Sequence, residues 1–245
     1  MALSIDMSGR RFLLAVGTLA VVATRPRLAS ADGPLSQGSE AGALTMAEIG
    51  VGTLLLPSAP DCLKNNAKCA STDGALLLSA RPLVQIGGRF VFGVSATWGI
   101  GRASENADIA SASGKISRTH QRDFFFLSPI VRYYPFVSLF SRLDAWIGLT
   151  GGAVIISDRY RNDRDGTSSV GPQSLTISTT GTTFGGGLGV DVRLTQAISL
   201  GGWTHGLLWL LPSERRCAQT YECATLGGTR ASIEGGLTLS YRLRL

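Results

Sequence analysis

Only two histidines occur in the 245 residues, His120 and His205, and neither stands in a spacing that catalysis requires. A nucleophile–base pair needs a serine or cysteine held beside an imidazole, and His205 has no such companion motif. No catalytic residue is assigned, and the chain does not read as an enzyme. The four cysteines fall into two local pairs, Cys62 with Cys69 and Cys217 with Cys223. Neither pair has the CxxC spacing or the nearby histidine of a zinc site, so local disulfides are expected and no metal is. The run Gly185-Gly186-Gly187-Leu188-Gly189 lacks the βαβ setting of a nucleotide fingerprint. Glycines here mark a bend or close packing in a strand. Asp163-Arg164-Asp165-Gly166 has Arg161 where the first calcium ligand should stand and Pro172 where a bidentate glutamate should. No cofactor is implied.

What remains is pattern, and it is strongest at the end. From Thr229 to Leu245, Ala231, Ile233, Leu237, Leu239, Tyr241, Leu243 and Leu245 alternate with Arg230, Ser232, Glu234, Thr238, Ser240, Arg242 and Arg244. A period of two gives a strand with one apolar and one polar face, where a helical period would mix them. Eight segments share this character: roughly 44–57, 74–86, 89–101, 121–134, 142–156, 176–193, 196–211 and 229–245. Their connections alternate long and short. Ser58–Asp73, Arg102–His120, Ser157–Leu175 and Ser213–Gly228 are long, whereas Gly87-Gly88, Pro135–Ser141 and Leu194-Thr195 are short. Barrels of outer membranes sort their connections in this way, with short turns on the periplasmic rim.

The N-terminus agrees with export. Arg10 and Arg11 precede the apolar stretch Phe12–Ala23, and Ala29-Ser30-Ala31 offers a cleavage site. Residues 1–31 therefore read as a signal peptide, 32–43 as a flexible periplasmic lead-in, and 44–245 as the folded domain. The signal holds four arginines and Asp6, so the formal charge of +6 falls to +3 once it is removed. The basic residues are scattered, which excludes a nucleic-acid surface.

Leu237, Leu239, Tyr241, Leu243 and Leu245 resemble the closing strand of small bacterial outer-membrane β-barrel proteins. Such chains more often end on Phe, where this one ends on Leu. The resemblance covers the chain from about Leu44 and concerns an architecture class. It implies an all-β fold, an eight-stranded antiparallel up-and-down transmembrane β-barrel of a Gram-negative outer membrane. A monomer in contact with lipid and lipopolysaccharide is expected, with a possible extracellular ligand met through four long loops. Phe136, Phe140, Tyr133 and Tyr134 would join an aromatic girdle. Arg159, Arg161 and Arg164 could face lipopolysaccharide phosphates.

Face assignment then places charges in the lumen. Glu48, Arg81, Arg132, Asp144, Asp191 and Arg242 fall in one band of height in the periplasmic half, with Arg132–Asp144 and Glu48–Arg242 as the expected pairs. Counting from the connection near Thr220 sets His205 against Glu234. The layer is either a structural plug or a gated path for small solutes. A structural or surface-interaction role is the main reading. A channel, a lipid-modifying barrel enzyme and an exported soluble ligand-binding barrel are the alternatives.

Overall fold

Alternation becomes backbone pairing along every segment. The computed structural model describes residues 44–56, 73–101, 104–111, 114–139, 142–162, 174–214, 216–217 and 224–244. The stretches expected to be signal peptide and lead-in, together with Cys62, Cys69, Cys223 and the 163–166 motif, lie outside them. The strands are β1 (Leu44–Leu56), β2 (Asp73–Ile86), β3 (Phe90–Gly101), β4 (Ser104–Ser111), β5 (Gly114–Leu139), β6 (Leu143–Asn162), β7 (Ser174–Arg193), β8 (Ile198–Leu210) and β9 (Thr229–Arg244). All pairings are antiparallel. β1 meets β9, with Glu48 opposite Ser240, and β3 meets β5, with Ser95 opposite Ser128, so the sheet closes on itself. Because β4 pairs only with the upper part of β5 and β3 with the lower part, the two share one stave, and the barrel has eight.

The β4–β5 hairpin corrects the reading of 102–120 as a loop. Its sequence lacks the apolar period that marks the other strands, and the strand is defined by its backbone pairing, Ser104 opposite His120 and Ile109 opposite Ile116. β6 likewise extends past Ile156 to Asn162, a stretch read from sequence as loop, where Asp158 and Tyr160 turn inward and are buried.

Turn chemistry fixes the short rim. Gly87 and Gly88 take φ of 62° and 73° in the three-residue connection Gly87–Arg89 between β2 and β3, a left-handed conformation that side chains resist. At the β7–β8 turn, Thr195 Oγ1 accepts from the Ala197 and Ile198 amides at 3.2 and 2.9 Å.

The outer face is apolar and uncovered. Ile49, Trp98, Leu149, Leu188 and Leu237 stand out from the wall, Leu149 with 71% of its surface exposed. Exposure on this scale, repeated around the barrel, requires hydrocarbon as the solvent. On β3 the belt runs ten residue steps, Phe90 to Ile100. At ~3.3 Å per step and a tilt of ~40° that is about 25 Å, the height of an outer-membrane apolar band. Near its lower edge Phe90 packs on Tyr133 at 5.0 Å and Phe92 at 6.3 Å. Tyr134 does not join this aromatic group. It is one residue out of phase and turns inward, 5% exposed.

Candidate functional site

The inward faces fill the lumen, as eight staves leave room only for side chains. They do so in two layers. The lower one is ionic and aromatic. Glu48 on β1 faces Arg81 on β2 and Ser240 on β9 in register. Arg132 reaches it from β5, across the barrel, donating from Nη1 to Oε1 at 2.7 Å and from Nη2 to Oε2 at 2.8 Å. Such a fork-on-carboxylate contact is strong and geometrically specific. Ser240 adds a hydrogen bond at 3.2 Å, and Arg81 Nη1 lies 3.8 Å from Oε2.

Both guanidiniums also stack. Arg132 lies over Trp146 at 4.3 Å and Arg81 over Trp203 at 4.4 Å. Between the two indoles sits His205, 5.9 Å from Trp146 and 4.8 Å from Trp203, centroid to centroid. A ring of contacts results: Glu48, Arg132, Trp146, His205, Trp203, Arg81 and back to Glu48. Cation–π geometry of this kind gains most where water is excluded. His205 Nδ1 donates to Glu234 Oε1 at 2.9 Å, the two residues standing opposite one another on β8 and β9.

Below the ring, Asp144 holds Arg193 through two bonds of 2.8 and 2.7 Å, with Arg242 at 3.6 Å. Asp191 accepts from the Tyr134 hydroxyl at 3.0 Å. The six charges assigned from sequence thus all line the lower lumen, but their partners differ from expectation. Arg132 stands opposite Gly148 and not Asp144, because the β5–β6 register puts the aspartate four residues lower. Glu48 stands opposite Ser240, and Arg242 opposite Met46, two residues further down the seam.

The glycine run of β7 is the floor of this layer. A Cβ on Gly187 would lie 1.8 Å from His205 Cδ2, and one on Gly189 would lie 2.5 Å from two atoms of Trp146. Only glycine at these two inward positions lets both rings come this close to the wall.

The upper layer escaped the sequence reading. Leu54, Leu77, Phe124, Phe126, Val154 and Trp209 fill it, all buried. Trp209, fully buried, meets Phe124 and Phe126 edge-on at 5.6 and 5.4 Å. Trp146 is inward, as its parity with Asp144 implies, whereas Trp203, Tyr134 and Arg193 were missed as members of the lower layer although each has inward parity. Cys217 is disulfide-bonded, and its expected partner Cys223 lies outside the described residues.

A closed antiparallel barrel with an apolar outer belt, polar charges inside and long and short connections sorted to opposite rims defines an outer-membrane β-barrel. The short-turn rim is then periplasmic and the long-loop rim extracellular. Among solved structures, Neisserial surface protein A (NspA) is similar, at 12% identity over 83% of this chain and 99% of its own, with a TM-score of 0.48. A major outer membrane protein from Thermus thermophilus gives 14%, 82%, 99% and 0.45. Ail of Yersinia pestis, in complex with the heparin analogue sucrose octasulfate, gives 11%, 83%, 99% and 0.41. No known family profile and no curated protein sequence matches this chain.

Proposed function

We propose that this is a non-conducting outer-membrane barrel whose work is done outside its lumen. It anchors the long extracellular connections as a structural or surface-interaction platform, and it acts as a monomer without enzymatic activity. The carrying observation is the doubly filled lumen, with paired charges below and packed aromatic and aliphatic side chains above. A polar layer alone could be wetted and gated; a packed apolar layer stacked on it gives ions no polar route. Lipopolysaccharide is the expected neighbour of the upper belt. There Arg159 and Arg161 project outward from β6, Arg159 being paired with Asp123 at 3.2 Å. An extracellular ligand would be met by the loops.

Planar-bilayer recording tests the reading. The refolded wild-type barrel should show no steady conductance, and neither should Arg132→Ala, because the apolar layer above it remains. Steady open-channel current from the wild type would overturn the proposal in favour of a small-solute channel. Binding of the same protein to lipopolysaccharide and to host-matrix extracts, with each loop deleted in turn, would then locate the partner surface.

A further inference from the structure

Above the apolar layer the chain returns into the barrel mouth. After β8, Leu211 is buried and its amide bonds to the Gly228 carbonyl at 3.1 Å, while the Gly228 amide bonds to Pro212. Ala224 and Leu226 are each 1% exposed, Leu226 joining the main core and Ala224 packing with Tyr160 and Ile177. A polar surface connection does not bury its residues so deeply unless something draws it down.

That something is Asp158, on β6 above the belt and fully buried. Thr225 gives its amide to Asp158 Oδ2 at 3.0 Å and its hydroxyl to Oδ1 at 2.5 Å. His120 Nε2 donates to Oδ1 at 2.7 Å, with its ring stacked on Tyr160 at 4.8 Å, and Arg122 Nε approaches Oδ1 at 3.3 Å. Arg122 also donates to Thr225 Oγ1, from Nε at 2.9 Å and more closely from Nη2. One carboxylate therefore gathers two residues of β5 and one of the returning connection.

We propose that Ala224–Leu226 is a cork closing the extracellular mouth, and that the Asp158 carboxylate is the latch that holds it. With the latch released, the recess of Leu211, Phe124 and Trp209 would open to the outside, while the barrel wall, held by its own ladders, would stay closed.

The groups around Asp158 give the direction of its acid response. Among the described residues, His120 and Arg122 come from β5, Tyr160 from β6 itself and uncharged Ile177 and Thr179 from β7, while Arg230 at the top of β9 donates to the Gly227 carbonyl. Burial alone would raise the carboxyl's pKa. The His120 hydrogen bond, the Arg122 charge and the two Thr225 bonds outweigh it and hold the carboxyl below its ordinary value. A lowered carboxylate stabilises above its free value of about 3.9, and that stability is lost as pH falls through the folded value.

Amide exchange at Thr225, read by NMR on the full refolded barrel in micelles, tests the latch. Asp158→Asn should lower Thr225 protection at neutral pH by about tenfold or more, since a bond to a charged acceptor is lost. Amides along the β1–β9 seam should keep theirs. Unchanged Thr225 protection, or equal loss at Thr225 and the seam, overturns the proposal. Should that variant not refold, Thr225→Val, which removes only the hydroxyl's bonds, is read at the same amide against the same two outcomes. On acidification of the wild type, Thr225 should lose protection before the seam does. A Thr225 amide that outlasts the seam overturns the latch.

Discussion

Arg132→Ala should destabilise the barrel by about 3–5 kcal/mol, the cost of leaving a buried charge without its partner. Glu48 is 3% exposed and takes both arms of the Arg132 guanidinium. Arg81, at 3.8 Å, and the Ser240 hydroxyl remain after the truncation but cannot replace a two-armed contact. Trp146 loses its stacked cation at the same time. Urea unfolding of the refolded protein in lipid vesicles, followed by tryptophan emission, would measure the loss. The double variant Glu48→Gln with Arg132→Met should recover only part of it, because Arg81, buried and 3.8 Å from the Glu48 carboxylate, then loses its own counter-charge. Arg242→Ala makes the contrast: that side chain is 15% exposed and 3.6 Å from Asp144, which keeps both its bonds to Arg193, so a smaller loss of about 1–2 kcal/mol is expected. If Arg132→Ala and Arg242→Ala cost the same, the ring is not the cohesive unit that its distances describe.

Architecture was legible because the membrane simplifies the rule. One face of each stave must be apolar, so Leu237, Leu239, Tyr241 and Leu243 declare their direction without reference to any other strand. Register between neighbours depends on where a connection turns, and on β8 and β9 it sets His205 opposite Glu234. Partners across the lumen obey a different geometry. Arg132 crosses from β5 to Glu48 on β1, and nothing in the spacing of either strand records that reach. Arginine has length enough to choose among several carboxylates, and the choice is made by the flat indoles beneath it. The upper layer stayed hidden because Leu54, Leu77, Phe126 and Trp209 alternate with residues that are themselves apolar or uncharged. A strand apolar on both faces carries no sign of which side is lumen. Asp158 was missed for the opposite reason: its stretch, Ser157–Asn162, is so polar that it reads as loop, although it is paired strand throughout.

Gly187→Ala should stop the barrel reaching its native state, whereas Gly186→Ala, one residue away, should be nearly neutral. The two share a strand, a neighbourhood and the same gain in unfolded-state rigidity, so backbone propensity cannot separate them. Their faces do. Gly186 points to lipid, and a methyl there would find its nearest neighbours at 3.3 and 3.6 Å. Gly187 points inward, where a Cβ would meet His205 Cδ2 at 1.8 Å, His205 Cγ at 2.8 Å and the Thr204 carbonyl oxygen at 2.4 Å. The imidazole cannot retreat, since Trp146 and Trp203 flank it and Glu234 holds Nδ1. Overpacking of this kind costs about 1–3 kcal/mol where the core can shift and more where it cannot. The backbone oxygen sits in the β7–β8 ladder itself, so we expect at least the upper end of that range. Refolding into detergent followed by cold and boiled SDS electrophoresis would show the difference. Gly186→Ala should give the fast-migrating folded band of the wild type, and Gly187→Ala little or none. A folded band of equal strength from both would mean that His205 does not lie against β7, and with it the stacked ring would fall.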